Sequence, residues 1–253
     1  MNEDQAPDLN AGSALELAPE DYPDVSQLIT EDGKPVESIY VEKQYRLLTD
    51  PLENCWKGPG EGGPLVALTN VGLFFAARNP PLVPDFLLSL GVTYPGDPSK
   101  KEYQSYFVWE FGKPPDVVGE IVSDRRGGED TFKLREYARL GISYYWIYDR
   151  KNLLGAGELR LFGLHCGAYV PIPDNWLASV GLGLTFWQGK YSGLDTKWLR
   201  WRDQEGNVIP TSGEWAEQER QRAEQERQRA ADQAERIRRL EAQLRSLGAD
   251  PSP

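Results

Sequence analysis

Three acidic residues occur where a carboxylate is unusual, and their spacing indicates a shared site. Asp85 precedes the apolar run 86–88, and Asp116 and Glu120 lie at the start of, and within, the apolar run 116–122. Residues four apart in a strand share one face, so this spacing places Asp116 and Glu120 on the same side of a sheet. A carboxylate among valines and isoleucines is costly to bury unless it is paired or binds a cation. Two or three carboxylates on adjacent strands would form an oxygen-ligand site suited to Mg²⁺.

A metal ion at such a site would polarise a phosphate and lower the pKa of a bound water. Lys133 follows on the helix after the Glu120 strand, and its ammonium could stabilise the charge that develops in the transition state. The sequence leaves structural explanations open as well. An ion pair with Lys133 or a nearby arginine would account for Glu120, and a role in capping a turn or a strand would account for Asp85. Lys133 could equally be a surface lysine on the first turn of its helix.

The small number of histidines and cysteines limits the kinds of metal site and catalytic site that the chain can form. The chain has one histidine, His165, and two cysteines, Cys55 and Cys166. These counts exclude a disulfide framework and zinc sites built from several cysteines or histidines. His165 is far in the sequence from the acidic residues, and we interpret it as structural. A metal site in this chain would therefore consist of oxygen ligands.

Charge is distributed unevenly along the 253 residues, which carry 28 Lys and Arg against 39 Asp and Glu, a formal net charge of −11. Residues 1–50 hold 12 acidic and 3 basic side chains, whereas residues 101–200 hold 12 acidic and 13 basic. Binding to phosphates depends on Lys and Arg. The overall acidity therefore argues against tight non-specific binding to nucleic acid, but the balanced central region permits local, metal-assisted and modest contact with DNA.

The elements expected to position these residues alternate between strands and helices. Helices are predicted from about Ser38 to Leu48, ending before Pro51, and over residues 130–140, where Gly141 closes the helix. Strand-like runs cover residues 65–68, 71–77, 82–92, 105–111, 116–122 and 143–148, and residues 159–164 and 168–172 indicate a hairpin. This pattern predicts an α/β fold with a mixed sheet and helices packed on it.

The two ends of the chain differ from this central region. Residues 1–24 have the composition of a flexible acidic arm, and a candidate helix begins near Asp24. We predict a main domain over residues 25–211, a helical tail over 212–248 and a disordered end over 249–253. In the tail, residues 216–222 are repeated identically at 223–229, and seven-residue spacing continues to Ile237 and Leu244, with Leu240 and Leu247 as second seam positions. A solvated single helix and a short homotypic coiled coil both fit this pattern.

No membrane partner is expected, because the longest apolar run is far shorter than the roughly 18 residues that a span requires. Residues 3 and 4 are acidic, whereas a secretory signal begins with basic residues. A cytoplasmic location is therefore predicted, and reduced cysteines agree with it.

The central motif resembles that of the Uma-type family of restriction-endonuclease-like proteins. The resemblance rests on the run 115–123 (Pro-Asp-Val-Val-Gly-Glu-Ile-Val-Ser), on Asp130 and Lys133, on Tyr137-Ala138, and on the run 141–146 (Gly-Ile-Ser-Tyr-Tyr-Trp). The run 80–85 (Pro-Pro-Leu-Val-Pro-Asp) resembles the family's earlier Pro-Asp strand. Tyr169, the run 198–201 (Trp-Leu-Arg-Trp) and the heptad tail resemble a cyanobacterial subgroup. The similarity extends over roughly residues 35–250.

This resemblance implies a PD-(D/E)XK nuclease fold, in which a mixed central sheet carries helices on both faces. It implies Asp85 as the first metal-binding carboxylate and Glu120 as the second. Glu42, on the first helix, is a secondary candidate for the same site. The lysine expected two residues after the glutamate is replaced by Val122, and Lys133 is the natural substitute.

The remaining site expectations are less central. Asp116 is a secondary candidate that would orient rather than bind the metal. Arg125 and Arg126 are the expected contacts to the DNA backbone, although the run 125–128 lacks the spacing of a phosphate-binding P-loop.

The implied function is a DNA endonuclease that uses Mg²⁺ or Mn²⁺. The alternative is a catalytically silent nuclease fold that serves binding or assembly and forms a homo-oligomer through its tail.

Overall fold

A six-stranded mixed sheet forms the centre of the protein. The computed structural model describes residues 38–60, 62–76, 80–94 and 105–246. In chain order the strands are β1 (Leu65–Leu68), β2 (Leu73–Phe74), β3 (Phe86–Leu90), β4 (Tyr106–Phe107), β5 (Val117–Ile121), β6 (Tyr144–Tyr148), β7 (Leu159–His165), β8 (Ala168–Pro171), β9 (Trp176–Leu177), β10 (Leu182–Tyr191) and β11 (Leu194–Arg202). The central sheet has the order β1-β3-β5-β6-β7-β8.

The pairing in this sheet is mixed, as the sequence predicted. β5 pairs in parallel with β6 and antiparallel with β3, and the other neighbours in the sheet are antiparallel. A parallel pair requires a crossover connection, and the segment between β5 and β6 supplies it with a helix. β2 and β4 form a separate, short parallel pair. The runs 71–77 and 82–92 thus contain much shorter strands than predicted, and residues 77–79 lie outside the described part.

In the described part of the chain, four α-helices and one π-helical turn accompany the strands. They are α1 (Ile39–Asn54), α2 (Val108–Phe111), the π-helical turn Glu129–Lys133, α3 (Leu134–Arg139) and α4 (Ser212–Ser246). α1 begins after Ser38, whose side chain accepts a hydrogen bond from the Val41 amide at 3.2 Å. The predicted end of α1 before Pro51 is wrong. The helix continues to Asn54, and the Pro51 carbonyl accepts hydrogen bonds from the amides of residues 55 and 56.

The central sheet separates two hydrophobic cores. On one face, Leu87, Val118 and Ile147 pack with Tyr137 of α3. On the other face, Trp146 and its neighbours pack with α1 and with the sheet β9–β11. Helices therefore cover both faces, as the resemblance implied. Because β5 is covered on both sides, its five residues are all buried.

A second sheet, formed by β9, β10 and β11, was not predicted from the sequence. β10 and β11 pair antiparallel over nine residue pairs, from Gly183 with Arg202 to Tyr191 with Leu194. Ser192 and Gly193 form the two-residue turn between them, both with positive φ (48° and 88°). This geometry matches the turns preferred in hairpins. In the sequence, the Ser-Gly pair between two alternating runs is a signal that predicts this hairpin.

The predicted strand over residues 105–111 is wrong beyond Phe107, because the chain turns into the short helix α2. In an extended strand, Tyr106 and Phe111 would point to opposite faces, since they are five residues apart. The helical turn instead stacks their rings, with centroids 4.2 Å apart. Gly112 ends α2 with φ 75°.

The predicted tail helix is present as α4, a helix of 35 residues. Its first turn is attached to the domain: Asp50 accepts hydrogen bonds from the backbone and hydroxyl of Ser212, and Glu214 pairs with the buried Arg200 at 2.7 Å. In the described part of the chain, no helix is both long enough and apolar enough to cross a bilayer. The expected arm 1–24, the candidate helix near Asp24 and the expected end 249–253 all lie outside the described residues, and the domain boundaries stay a prediction.

Candidate active site

The site is organised around Glu120, which lies near the end of β5. β3 and β5 pair with Phe86 opposite Gly119, and continuing this register by one residue places Asp85 opposite Glu120. The strand pairing therefore brings together the two carboxylates that the sequence singled out.

Both oxygens of Asp85 are held in place. One accepts a hydrogen bond from the Tyr45 hydroxyl of α1 at 2.8 Å, and the other accepts the Ile121 amide of β5 at 2.6 Å. These bonds join a helix, a strand and the Asp85 loop at one point. The capping role considered for Asp85 is thus present, and it also fixes the carboxylate beside Glu120.

The Glu120 side chain is buried, with 1% of its surface exposed, and both of its oxygens have a donor. Lys133 lies 2.8 Å from Oε2, and the Tyr137 hydroxyl donates to Oε1 at 2.6 Å. Lys133 ends the π-helical turn and Tyr137 lies in α3, four residues later. Residues four apart share one side of a helix, so one helical surface delivers an ammonium and a phenol to the same carboxylate.

The pKa values of Glu120 and Lys133 depend on each other and on the charges around them. Burial and, second, the nearby Asp85 carboxylate raise the pKa of Glu120 to about 8, although Lys133 and Tyr137 oppose the shift. Burial alone would lower the pKa of Lys133, but Glu120, Asp85 and Glu129 outweigh it, and the pKa is raised. A carboxylate in this position gains more from a cation than an exposed one does, because little water competes for it.

Glu129 is a member of the site that the sequence analysis missed. It is 5% exposed, and the pKa of its carboxyl is raised, chiefly by burial. Its charge interacts with those of Lys133 and Asp85. Glu129 precedes Lys133 by four residues, so the helical spacing of the two was a signal that could have identified it. Tyr137 was noted only as part of the apolar helical pattern.

Asp116, a secondary candidate, lies at the opposite end of β5 from Glu120. Four residues of strand correspond to about 13 Å. Its Oδ2 accepts the Leu90 amide at 2.7 Å and contacts the Lys113 ammonium at 2.5 Å. The structure therefore gives Asp116 partners of its own and does not bring it to Glu120.

Glu42, the other secondary candidate, lies on α1 and pairs with Arg46 at 2.5 Å. Among the described residues, no hydrogen bond or ion pair connects Glu42 to Asp85 or Glu120. The residue by which α1 reaches the site is instead Tyr45, through its bond to Asp85.

Arg125 and Arg126 lie on the loop between β5 and the π-helical turn, and both are exposed. The Arg126 guanidinium pairs with Asp124 at 2.7 Å, and its backbone amide donates to the same carboxylate at 2.6 Å. The loop thus leads from the Glu120 strand to Lys133 with two cationic side chains in solvent. This placement fits contacts to a backbone phosphate.

Val122 occupies the position at which the family pattern has a lysine. It is buried and packs in the core beneath α3, so its place suits an apolar side chain. Lys133 reaches Glu120 from the helix side instead.

The donor set is compatible with a divalent metal ion. Glu120 already contacts one cation, the Lys133 ammonium, and Asp85 supplies a second carboxylate near enough to raise the pKa of Glu120. Within the described ranges there is no cluster of three or more His, Cys, Asp or Glu side chains that could hold a metal. Mg²⁺ typically uses one or two carboxylates and completes its shell with water and substrate oxygens, so two carboxylates suffice.

Comparison with known proteins identifies one family. The model of the family Uma2, described as "Putative restriction endonuclease", matches residues 18–187. The match includes Asp85 as well as β5, the π-helical turn and α3, and therefore Glu120 and Lys133. No curated protein and no solved structure matches the chain. The family resemblance noted in the central motif is confirmed, and the cyanobacterial subgroup stays a prediction.

Proposed function

Because this chain belongs to the Uma2 family of restriction-endonuclease-like proteins, we propose that it is a DNA endonuclease that depends on Mg²⁺ or Mn²⁺. The observation that carries this proposal is the buried Glu120, which is close to the Asp85 carboxylate and in contact with the Lys133 ammonium. A strand and a helix thus present two carboxylates and one ammonium together, the groups that hydrolysis of a phosphodiester requires.

In the proposed reaction, Asp85 and Glu120 would hold the metal ion. When bound, such an ion polarises the phosphate and makes a bound water more acidic. Lys133 stabilises the negative charge that builds up on the phosphate oxygens, or orients the attacking water. Water forms the new O–P bond as the bond from phosphorus to the leaving sugar oxygen breaks.

The surrounding residues keep these groups in position. Tyr45 and the Ile121 amide fix Asp85, and Tyr137 fixes Glu120. Arg125 and Arg126 would contact the DNA backbone beside the site. Since the chain is acidic overall, we expect this binding to be local and strongly dependent on salt.

The test is nicking of supercoiled DNA by the full chain with Mg²⁺ or Mn²⁺. We expect Glu120→Gln to abolish cleavage and Lys133→Met to reduce it by about a hundredfold or more. The matched control is Lys197→Met, which also breaks an ion pair between a lysine and a glutamate, with Glu158, elsewhere in the fold. Cleavage retained by a folded, highly purified Glu120→Gln protein would overturn the proposal.

A second candidate function, assembly through the tail, is favoured by an apolar stripe on α4. Ile237, Leu240 and Leu244 are exposed, and they occupy the two seam positions of a heptad pattern. The partner that this stripe fits is a second copy of the chain, so a homo-oligomer is proposed. If assembly is the function, the nuclease fold would be catalytically silent.

Truncation of the tail separates the two candidates. Ending the chain after Arg222 removes the stripe but retains Ser212 and Glu214, which attach α4 to the domain. Light scattering should then report a monomer in place of a dimer. Loss of the dimer, with no nuclease activity in either form, would favour the assembly function.

The cellular location is proposed on chemical grounds. Cys55 and Cys166 are both unpaired, and free thiols persist in the reducing cytoplasm. We therefore propose that the protein acts there.

A further inference from the structure

Glu129 places a second buried carboxylate near Lys133. Its Oε2 is buried and has no hydrogen-bond partner among the described residues. Buried polar atoms are almost always hydrogen-bonded, because an unpaired one loses its hydration without compensation. The unpaired oxygen of Glu129 therefore requires an explanation that the resting contacts do not supply.

The chain makes room for this carboxylate. A Cβ atom at Gly127 would lie 1.9 Å from Oε1 of Glu129 and 2.9 Å from Oε2, so only glycine fits there without displacing the side chain. The Tyr145 hydroxyl donates to the backbone carbonyl of Glu129 at 2.9 Å and fixes the start of the π-helical turn. Glu129 is thus held in place while one of its oxygens is left available.

The electrostatics connect Glu129 to Lys133. Each shifts the pKa of the other, although no ion pair joins them in the described structure. Lys133 instead pairs with Glu120. The ammonium therefore interacts electrostatically with two buried carboxylates and is paired with one of them. A lysine side chain has a flexible four-carbon stem and a compact charge, so it can exchange one acceptor for the other.

We propose that Glu129 is a positioning residue whose free oxygen accepts the Lys133 ammonium when a divalent cation takes its place on Glu120. Two cations on one carboxylate would repel each other, so Lys133 must leave Oε2 of Glu120. Glu129 keeps the ammonium in the site and neutralised. This inference rests on the proposed cation site at Glu120, but not on the identity of the substrate.

The arrangement also explains how a lysine from the helix can serve two states of one site. Without the metal, the Lys133 ammonium contacts Glu120, and Glu129 has an unpaired oxygen. With the metal, the same ammonium neutralises Glu129 and stays within reach of the reacting phosphate.

The test is a calorimetric titration of the full chain with Mn²⁺. Four proteins are compared: wild type, Glu129→Gln, Lys133→Met and the double variant. We expect Glu129→Gln to weaken Mn²⁺ binding about tenfold, a size typical of residues that support a metal ligand. Lys133→Met should tighten binding, because the competing ammonium is gone. In the Lys133→Met background, Glu129→Gln should change affinity less than about twofold.

Two further variants serve as controls. Glu136→Gln removes a carboxylate from α3 that pairs with Arg139 on the surface, and it should leave the affinity within about twofold of wild type. Gly127→Ala displaces the Glu129 carboxylate without changing any charge, and it should weaken binding as Glu129→Gln does.

The outcomes are distinguishable. An equal loss of affinity on Glu129→Gln with and without Lys133 would show that Glu129 acts only as a nearby negative charge, and it would overturn this inference while leaving the metal site intact. Absence of Mn²⁺ binding by both wild type and Lys133→Met would overturn the proposed function, and the inference with it.

Discussion

The Glu120 carboxyl is enclosed by an ammonium, a phenol and a second carboxylate, so its protonation depends on what occupies the site. Its contacts serve the fold as well as the chemistry, since Lys133 and Tyr137 connect the π-helical turn and α3 to β5. A change that removes the charge of Glu120 should therefore alter stability, and should do so differently at different pH.

The first prediction concerns this pH dependence. The pKa of Glu120 is about 8 when folded, against 4.5 for an ordinary glutamate. A carboxyl whose pKa is raised by folding stabilises the protein below about pH 4.5, and this contribution is lost as the pH rises through about 8. Glu120→Gln carries no such titration. We therefore expect its free energy of unfolding, relative to wild type, to rise between about pH 5 and about pH 8.5, by on the order of 4 kcal/mol.

Urea denaturation of the metal-free proteins at the two pH values measures this difference. At about pH 5 the Glu120 carboxyl of the wild type is protonated, so neither protein offers Lys133 a charged partner, and at about pH 8.5 the attraction of Lys133 is already included in the folded pKa of Glu120. Glu136→Gln, which removes a carboxylate from the surface of α3, should show no comparable rise. A constant difference between wild type and Glu120→Gln would contradict the prediction.

At the scale of elements, the close approach of β5 and β6 determines where Glu120 lies. Gly119 precedes Glu120 and faces the opposite core, where a Cβ atom would lie 1.9 Å from the Trp146 ring. The Trp146 indole thus packs directly on the backbone of β5, and this contact determines where the strand lies relative to the core on that face. Glycine is required here by the packing, and not by an unusual backbone angle.

The second prediction follows from this contact. Gly119→Ala should destabilise the protein by about 3 kcal/mol or more, because the methyl group forces the Trp146 ring or the strand to move. Chemical denaturation measures the loss. The matched control is Gly163→Ala in β7 of the same sheet, where the nearest atom, of Ile172, would be 3.3 Å away. If the two variants lose equal stability, Gly119 does not have the role described.

Much of the central region was predictable because its signals are local. The apolar runs and the helical spacing gave the order of elements around Asp85, Glu120 and Lys133, and the motif indicated the family. The four-residue spacing of Glu129 and Lys133 indicates a shared side of a helix, but the burial and the unpaired oxygen of Glu129 are not visible in the sequence. The Ser-Gly turn between alternating runs signals the β10–β11 hairpin, but the packing of the β9–β11 sheet against α1 is a long-range contact that the sequence does not display.

At the scale of the whole molecule, Arg200 connects the domain to the tail. Its guanidinium is 1% exposed and donates to both oxygens of Glu214 and to the Ile209 carbonyl. Thr211 donates to Glu214 as well. The start of α4 is therefore fixed by a buried charge, which is costly to leave unpaired.

The third prediction tests this attachment. Glu214→Gln leaves Arg200 without its counter-charge and should destabilise the protein by about 3 kcal/mol. Glu217→Gln, one turn further along α4, breaks an exposed ion pair with Arg220 and should cost less than about 1 kcal/mol. Thermal unfolding of both variants provides the comparison, and similar losses for both would show that Arg200 does not depend on Glu214.

The length of α4 has a mechanical consequence. Ile237 is 25 residues beyond Ser212, which at 1.5 Å per residue is about 37 Å of helix axis. The intervening turns are rich in Glu, Arg and Gln, and beyond the first turn of α4 their side chains are almost all exposed to solvent. They act as a strut, so anything that meets the apolar stripe does so about seven helical turns from the point of attachment. Inserting or deleting seven residues in this strut would change the reach of the tail while preserving the direction of its stripe.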